Sequence, residues 1–138
     1  LTERCVGNAA NLTSDQIADA VADDPRLAPL PAGWKSDSHF RLPFVGAESL
    51  MESGERVAGY LTESMNRDSE LNQAILFFGH GASLRHAAHL LGVLDFKRLA
   101  ELSMHHAQPV ALAVSPDGHW RHVDGDWKKR ALQSTRTD

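Results

Sequence analysis

Ala74-Ile75-Leu76-Phe77-Phe78-Gly79-His80-Gly81-Ala82-Ser83-Leu84-Arg85 is the stretch on which the reading of this sequence turns. The apolar run 74 to 78 reads as a strand buried on both faces, the pattern of a parallel sheet covered by helices. Gly79-His80-Gly81 follows as a tight turn, because glycine permits sharp backbone geometry and lets a ligand approach closely. Residues 83 to 91 then read as a helix stopped by Gly92. The unit is therefore strand, glycine turn, helix. A helix N-terminus offers unpaired N–H groups and a partial positive charge, so it suits anions, phosphate above all. Ligands of open α/β sheets gather at the carboxyl ends of strands. A cationic imidazole adds a donor to the same anion. These features place a candidate anion site at His80, Gly81 and Ala82. The plainer reading is a histidine that only caps a turn. Ser83 is a poor hydrolase nucleophile: the nucleophile elbow needs glycine two residues before and two after, and position 85 is arginine.

Upstream, residues 1–12 show no period. Thr13 and Gln16 stand at capping-box spacing, with Asp15 in the first turn where the helix dipole favours negative charge. Ile17, Ala18 and Val21 give that helix an apolar face, and Asp24-Pro25 ends it. Residues 25–46 hold four of the six prolines, Pro25, Pro29, Pro31 and Pro43. They read as a long loop anchored by Trp34, Phe40 and Phe44, either a binding lid or an irregular surface segment. A long helix is predicted from Glu48, with Leu50, Val57, Ala58 and Leu61 near helical spacing and an end near Asn66 to Ser69. Gly54 and Gly59 each weaken it by about 1 kcal/mol relative to alanine.

Downstream, Leu94 to Leu102 reads as another short helix. Pro109 to Val114 reads as a strand and Ser115-Pro116-Asp117-Gly118 as a turn. Trp120 to Val123 can pair back as a hairpin. The polar tail after Trp127 is expected to fray.

Composition bounds the function. The 138 residues are 42% hydrophobic and 23% charged, which fits one domain. Eighteen acidic against 14 basic residues leave a net charge of -4. That excludes a strongly basic nucleic-acid binder. Lys128-Lys129-Arg130 reads as a solvated tail. The longest apolar run is far short of the roughly 20 residues a bilayer needs. No Met-led signal peptide is read, so a cytoplasmic, non-membrane protein is expected. One cysteine, Cys5, allows neither an intrachain disulfide framework nor a cysteine zinc site. His86 and His89 share a helix face, with His105 and His106 further on. Lacking an HExxH pattern, they read as surface histidines and not as a metal site.

Three segments in order resemble the histidine phosphatase superfamily, the phosphoglycerate-mutase-like group. Glu3-Arg4-Cys5-Val6-Gly7 resembles its Glu-Arg-x-x-Gly segment. Pro43 through Glu48-Ser49-Leu50 resembles its Pro-x-x-Glu-Ser-Leu segment at a helix start, with one or two extra residues. Gly79-His80-Gly81-Ala82-Ser83-Leu84-Arg85 resembles the second-histidine motif, the most specific of the three. The hairpin from Pro109 to Trp120 resembles the family's closing strand pair.

The resemblance implies a three-layer α/β fold, a mostly parallel sheet flanked by helices, with residues 1–138 forming a single partial domain. It implies a phosphohistidine mechanism on a small phosphorylated metabolite, with no cofactor. His80 would be the second histidine and Glu3 the proton donor. Arg4 would contact phosphate or substrate beside the Gly81 and Ala82 amides. The family's nucleophile belongs to an Arg-His-Gly motif, which this sequence lacks. The first strand and the nucleophile are therefore expected outside these residues. The chain would then be a fragment, one part of a two-chain enzyme whose sheet a second chain or copy completes, or a truncated relative that binds anions without catalysis. Phosphatase is the first reading and a phosphoglycerate-mutase-type isomerase the second. A non-catalytic anion-binding module also fits these residues, as does an interaction protein that recruits a partner strand to an exposed sheet edge.

Overall fold

Helix α1, Ser14–Ala22, begins where the sequence asks it to. The Thr13 hydroxyl accepts from the Gln16 amide at 3.3 Å, and the Gln16 side chain accepts from the Thr13 amide at 2.8 Å. Two otherwise orphaned amides at the helix start are thereby satisfied. Ile17 and Val21 are buried. This is a computed structural model, and it describes residues 1–67 and 73–130.

Helix α2 spans Leu50–Arg67 and helix α3 spans Gly81–Leu90. A second capping box starts α2: Ser49 Oγ accepts from the Glu52 amide at 3.1 Å, and Glu52 Oε2 accepts from the Ser49 amide at 2.7 Å. The predicted end of α2 at Asn66 to Ser69 lies partly outside the described residues. Val57, Ala58 and Leu61 of α2 pack with Ala87 of α3, and Leu84 and Phe77 cover that cluster. Gly54 explains how closely the two helices cross. A Cβ there would stand 2.5 Å from His86 Cβ and 2.9 Å from the His86 carbonyl carbon. Glycine in mid-helix therefore trades propensity for contact.

The loop of residues 25–46 closes over α1 as its aromatics suggest. Trp34, Phe40 and Phe44 pack against Ala9, Ile17, Leu42 and Ala47. Gly7 adopts φ +63°, and a Cβ on it would collide with the Val45 carbonyl oxygen. Next to it Val6 bridges Ala47. Glycine at the end of Glu-Arg-x-x-Gly is thus what lets the two segments touch.

Both sheets are small and antiparallel. Strand β1, Leu102–Met104, pairs with β4, Trp127–Lys129. Strand β2, Ala111–Val114, pairs with β3, Trp120–Asp124. The second pair is the predicted hairpin, its turn closed by the Gly118 amide on the Ser115 carbonyl at 2.9 Å. The mixed α/β class holds, and no parallel pairing occurs among the described residues.

Three expectations need correction. Residues 74–78 form no strand. Phe77 packs inward, while Leu76 and Phe78 are 68% and 79% exposed. No strand lies beside the segment among the described residues, so it has neither a ladder nor a cover for its second face. The predicted helix over 94–102 is instead a single 3-10 turn, Phe96–Arg98, ahead of β1 at Leu102, because Leu94, Leu99 and Leu102 are drawn into one buried cluster with Ala88. The chain after Trp127 is not all tail. Trp127–Lys129 is β4, and the Arg130 amide donates to the Glu101 carbonyl at 2.8 Å. Residues 131–138 lie outside the described residues.

Candidate functional site

His80 is the N-cap residue of α3, with extended backbone (φ -92°, ψ 135°), and its side chain makes no capping bond. The ring is therefore left free to face a ligand or a partner. The Gly81 and Ala82 amides open the helix, and no backbone acceptor meets them among the described residues.

The partner His80 finds is Glu3, whose Oε2 lies 3.3 Å from His80 Nδ1. Both side chains are half exposed, at 56% and 52%. Oε1 of Glu3 accepts the Arg4 amide at 3.0 Å.

The segment carrying Glu3 and Arg4 is held by Glu48, a residue whose role the sequence did not disclose. The Glu48 amide donates to the Cys5 carbonyl at 2.8 Å, and Glu48 Oε2 accepts the Cys5 amide at 3.0 Å. The same carboxylate takes Arg56 in a fork, Nε at 2.8 Å and Nη2 at 2.9 Å. These hydrogen bonds from Arg56, aided by the Cys5 amide, outweigh partial burial and lower the Glu48 pKa. Ser83 adds a tie, its Oγ donating to the Thr2 carbonyl at 3.4 Å. So buried a hydroxyl is structural, in keeping with the missing second glycine of a nucleophile elbow.

The predicted residues do not all share one surface. A cleft of about 770 Å³ lies beside the turn, and Glu3, Arg4 and Ala82 line it. His80 and Gly81 do not. The cleft also takes Lys35, Ser38 and His39 from the long loop, Arg85 and His86 from α3, and Arg130 from beyond β4. The loop's part in it was open in the sequence. That of Arg130 was missed, because nothing local to Lys128-Lys129-Arg130 reveals a fold-back.

Two of the histidines considered for metal are engaged in the fold. A carbonyl only accepts, so His86 Nδ1 carries the proton that meets the Ala82 carbonyl oxygen at 2.7 Å. Its Nε2 then accepts from the Ser38 hydroxyl at 3.0 Å. Burial lowers the His86 pKa, opposed by the Ala82 carbonyl and assisted by Arg85, His89 and Arg4. His89 Nδ1 meets the Leu94 carbonyl at 2.8 Å. Among the described residues no group of three or more His, Cys, Asp or Glu side chains is placed to hold a metal. No described helix is long and apolar enough to cross a membrane.

The Glu-Arg segment meets the turn through Glu3 and His80 and is clamped by Glu48 to the capped start of α2, so the three segments stand together in space as they do in order. The family model described as histidine phosphatase superfamily (branch 1) matches residues 1–127. The chain belongs to the histidine phosphatase superfamily. No curated protein and no solved structure matches it. For a histidine phosphatase superfamily member, phosphoryl transfer is the general chemistry. The His80–Glu3 pair sets an imidazole beside a carboxylate at a helix N-terminus.

Proposed function

We propose that this chain supplies the second-histidine half of a phosphatase acting on a small phosphorylated metabolite, with the nucleophilic histidine provided from outside these residues. The observation that carries the reading is the 3.3 Å approach of Glu3 to His80 at the start of α3. In the proposed reaction an external histidine nitrogen attacks phosphorus and the bond to the leaving oxygen breaks. Glu3 gives that oxygen its proton. Water then takes the phosphoryl group from the histidine, releasing inorganic phosphate. His80, Arg4 and the Gly81 and Ala82 amides would stabilise charge spread over the phosphoryl oxygens, the main contribution to catalysis in such reactions. A phosphoglycerate-mutase-type transfer would use the same groups with a second hydroxyl in place of water.

The family's layered parallel sheet enters the proposal as the setting in which residues 74–78 gain a neighbouring strand, from a second chain or copy. A cytoplasmic setting without nucleic acid, membrane, metal or cofactor is part of the same reading. The absence of Arg-His-Gly from the sequence favours one further reading, an anion-binding module without catalysis.

Titration with inorganic phosphate, followed by calorimetry, tests the site. Binding that His80→Ala weakens more than about tenfold is expected, the scale of a lost charge-assisted hydrogen bond. Unchanged affinity in that variant would remove His80 from the site. The 138-residue chain alone is expected not to turn over 4-nitrophenyl phosphate. Hydrolysis abolished by His80→Ala would place the nucleophile within the chain.

A further inference from the structure

The cleft beside the His80 turn is basic in an acidic protein. It gathers the cationic side chains of Arg4, Lys35, Arg85 and Arg130 against two carboxylates, Glu3 and Asp37. The chain as a whole carries -4. Both carboxylates are already occupied. Asp37 Oδ1 accepts the His39 and Phe40 amides at 2.8 and 3.2 Å, and Glu3 faces His80 and the Arg4 amide.

The cations, by contrast, are under-used. Arg4 and Arg130 form no ion pair among the described residues. Arg85 is only 7% exposed. It spends Nη1 on the Leu102 carbonyl and leaves its buried Nε without a hydrogen-bond partner. Burial first, and then the nearness of Arg130, disfavours the Arg85 charge, with Glu3 opposing both. Four cations against two carboxylates leave a positive excess in the cleft that a further anion would offset.

Part of the remaining lining is apolar, and part of it is flat. Leu50 and Leu99 are buried against it. The His39 and Phe96 rings stack with centroids 5.5 Å apart and planes at 27°, and both rings line the cleft. A ring pair of this kind, exposed at a cleft wall, can extend its stack with a third ring. The open cleft, about 770 Å³, has room beyond a bare oxyanion.

We infer that this cleft is a binding site for an organic anion with a flat aromatic body, the anionic group meeting the Arg4, Lys35 and Arg130 side chains and the ring lying against His39 and Phe96. Glu3, Arg4 and Ala82 belong both to this cleft and to the proposed phosphoryl site, whereas His80 and Gly81 lie outside the cleft, so the inference extends that reading and rests on it.

Calorimetric titration of the 138-residue chain with naphthalene-1-sulfonate, inorganic sulfate and 1-naphthol tests it. The sulfonate is expected to bind at least about tenfold more tightly than either half alone. Lys35→Ala and Phe96→Ala are each expected to weaken it about fivefold, the scale of one exposed charge or one ring contact. Phe78→Ser is expected to leave it unchanged. Lys35 is exposed, so that variant reads out binding even if Phe96→Ala disturbs the fold. Sulfate binding as tightly as the sulfonate would reduce the site to a simple anion hole and overturn the inference. Loss of binding in Phe78→Ser would move the ligand to the exposed 74–78 segment. That result overturns the inference, as does binding indifferent to Lys35→Ala.

Discussion

Glu3 and His80 meet at 3.3 Å because a third residue, Glu48, pins the backbone between Glu3 and Gly7 to the start of α2. The pair is half exposed, so its direct worth to stability is small, well under about 1 kcal/mol after solvent screening. Its importance is electrostatic and local. Glu3→Gln should leave the melting temperature unchanged. It should tighten inorganic phosphate binding about threefold at pH 6 and low ionic strength, because a negative charge beside the proposed anion site is removed. Calorimetry beside a thermal melt checks both. Weaker phosphate binding in Glu3→Gln would mean that the carboxylate organises the site more than it repels the ligand.

Glu48 carries more of the structure than the pair it positions. Its carboxylate takes two bonds from Arg56 and one from the Cys5 amide. Glu48→Ala leaves those donors unmet in a partly buried place. A loss of about 1–3 kcal/mol is expected by urea unfolding. Hydrogen exchange at the Cys5 amide should quicken in parallel. The Glu48 pKa is lowered in the folded chain. Its contribution is therefore complete above its ordinary value of 4.5 and declines as pH falls below it.

Two glycines on α2 should respond oppositely to alanine. At Gly54 the added carbon meets His86 backbone and Cβ, which cannot yield without parting α2 from α3. A destabilisation of about 1–3 kcal/mol is expected. At Gly59, which is exposed, nothing lies within 4 Å of the added carbon. Alanine there should stabilise by about 0.5–1 kcal/mol through helix propensity. Equal effects of the two substitutions in denaturant titration would contradict the close crossing.

Local chemistry was legible where neighbours in sequence decide the outcome. Thr13 with Gln16, and Ser115 through Gly118, carry their own hydrogen-bond partners, so their helix start and hairpin could be read directly. His80 at a helix start was legible for the same reason. What failed depended on distant residues. The apolar run 74–78 reads as buried only if something covers both faces, and here Phe77 alone finds a core. The helical cost of Gly54 was visible, but its reason lies in His86. The partners of Glu48 and the fold-back of Arg130 into the cleft likewise have no local signal.

His86 makes the fold sensitive to acid. Its ring is buried and serves as donor to Ala82 and acceptor from Ser38. Protonating Nε2 removes the acceptor and buries a charge near Arg85 and Arg4. Burial holds the folded pKa below the ordinary value of 6.5, so the unfolded chain binds the proton first. The resulting stability is complete above pH 6.5 and is lost as pH falls through the lowered folded value. Urea midpoints between pH 8 and pH 5 should therefore fall. His86→Gln should show a flatter profile over that window, at a lower overall stability. An equally steep profile in the variant would assign the acid sensitivity to another group.

Leu76 and Phe78 point to self-association as the default behaviour of the isolated chain. They project from a stretch of backbone whose amides and carbonyls from 74 to 79 have no backbone partner among the described residues. An unpaired edge with apolar side chains is a template for another strand, and natural sheets normally blunt such edges with charge. None of residues 74–79 is charged. Sedimentation at tens of micromolar should show concentration-dependent association of the 138-residue chain. Phe78→Lys should weaken it about tenfold or more, since burial of one phenylalanine is worth roughly 2 kcal/mol. Val45→Lys is the control: Val45 is 83% exposed but lies on the long loop, away from this edge. If both substitutions disperse the chain equally, general surface hydrophobicity and not the 74–79 edge drives association. A monomer at all concentrations would mean the edge is too short to template pairing unaided.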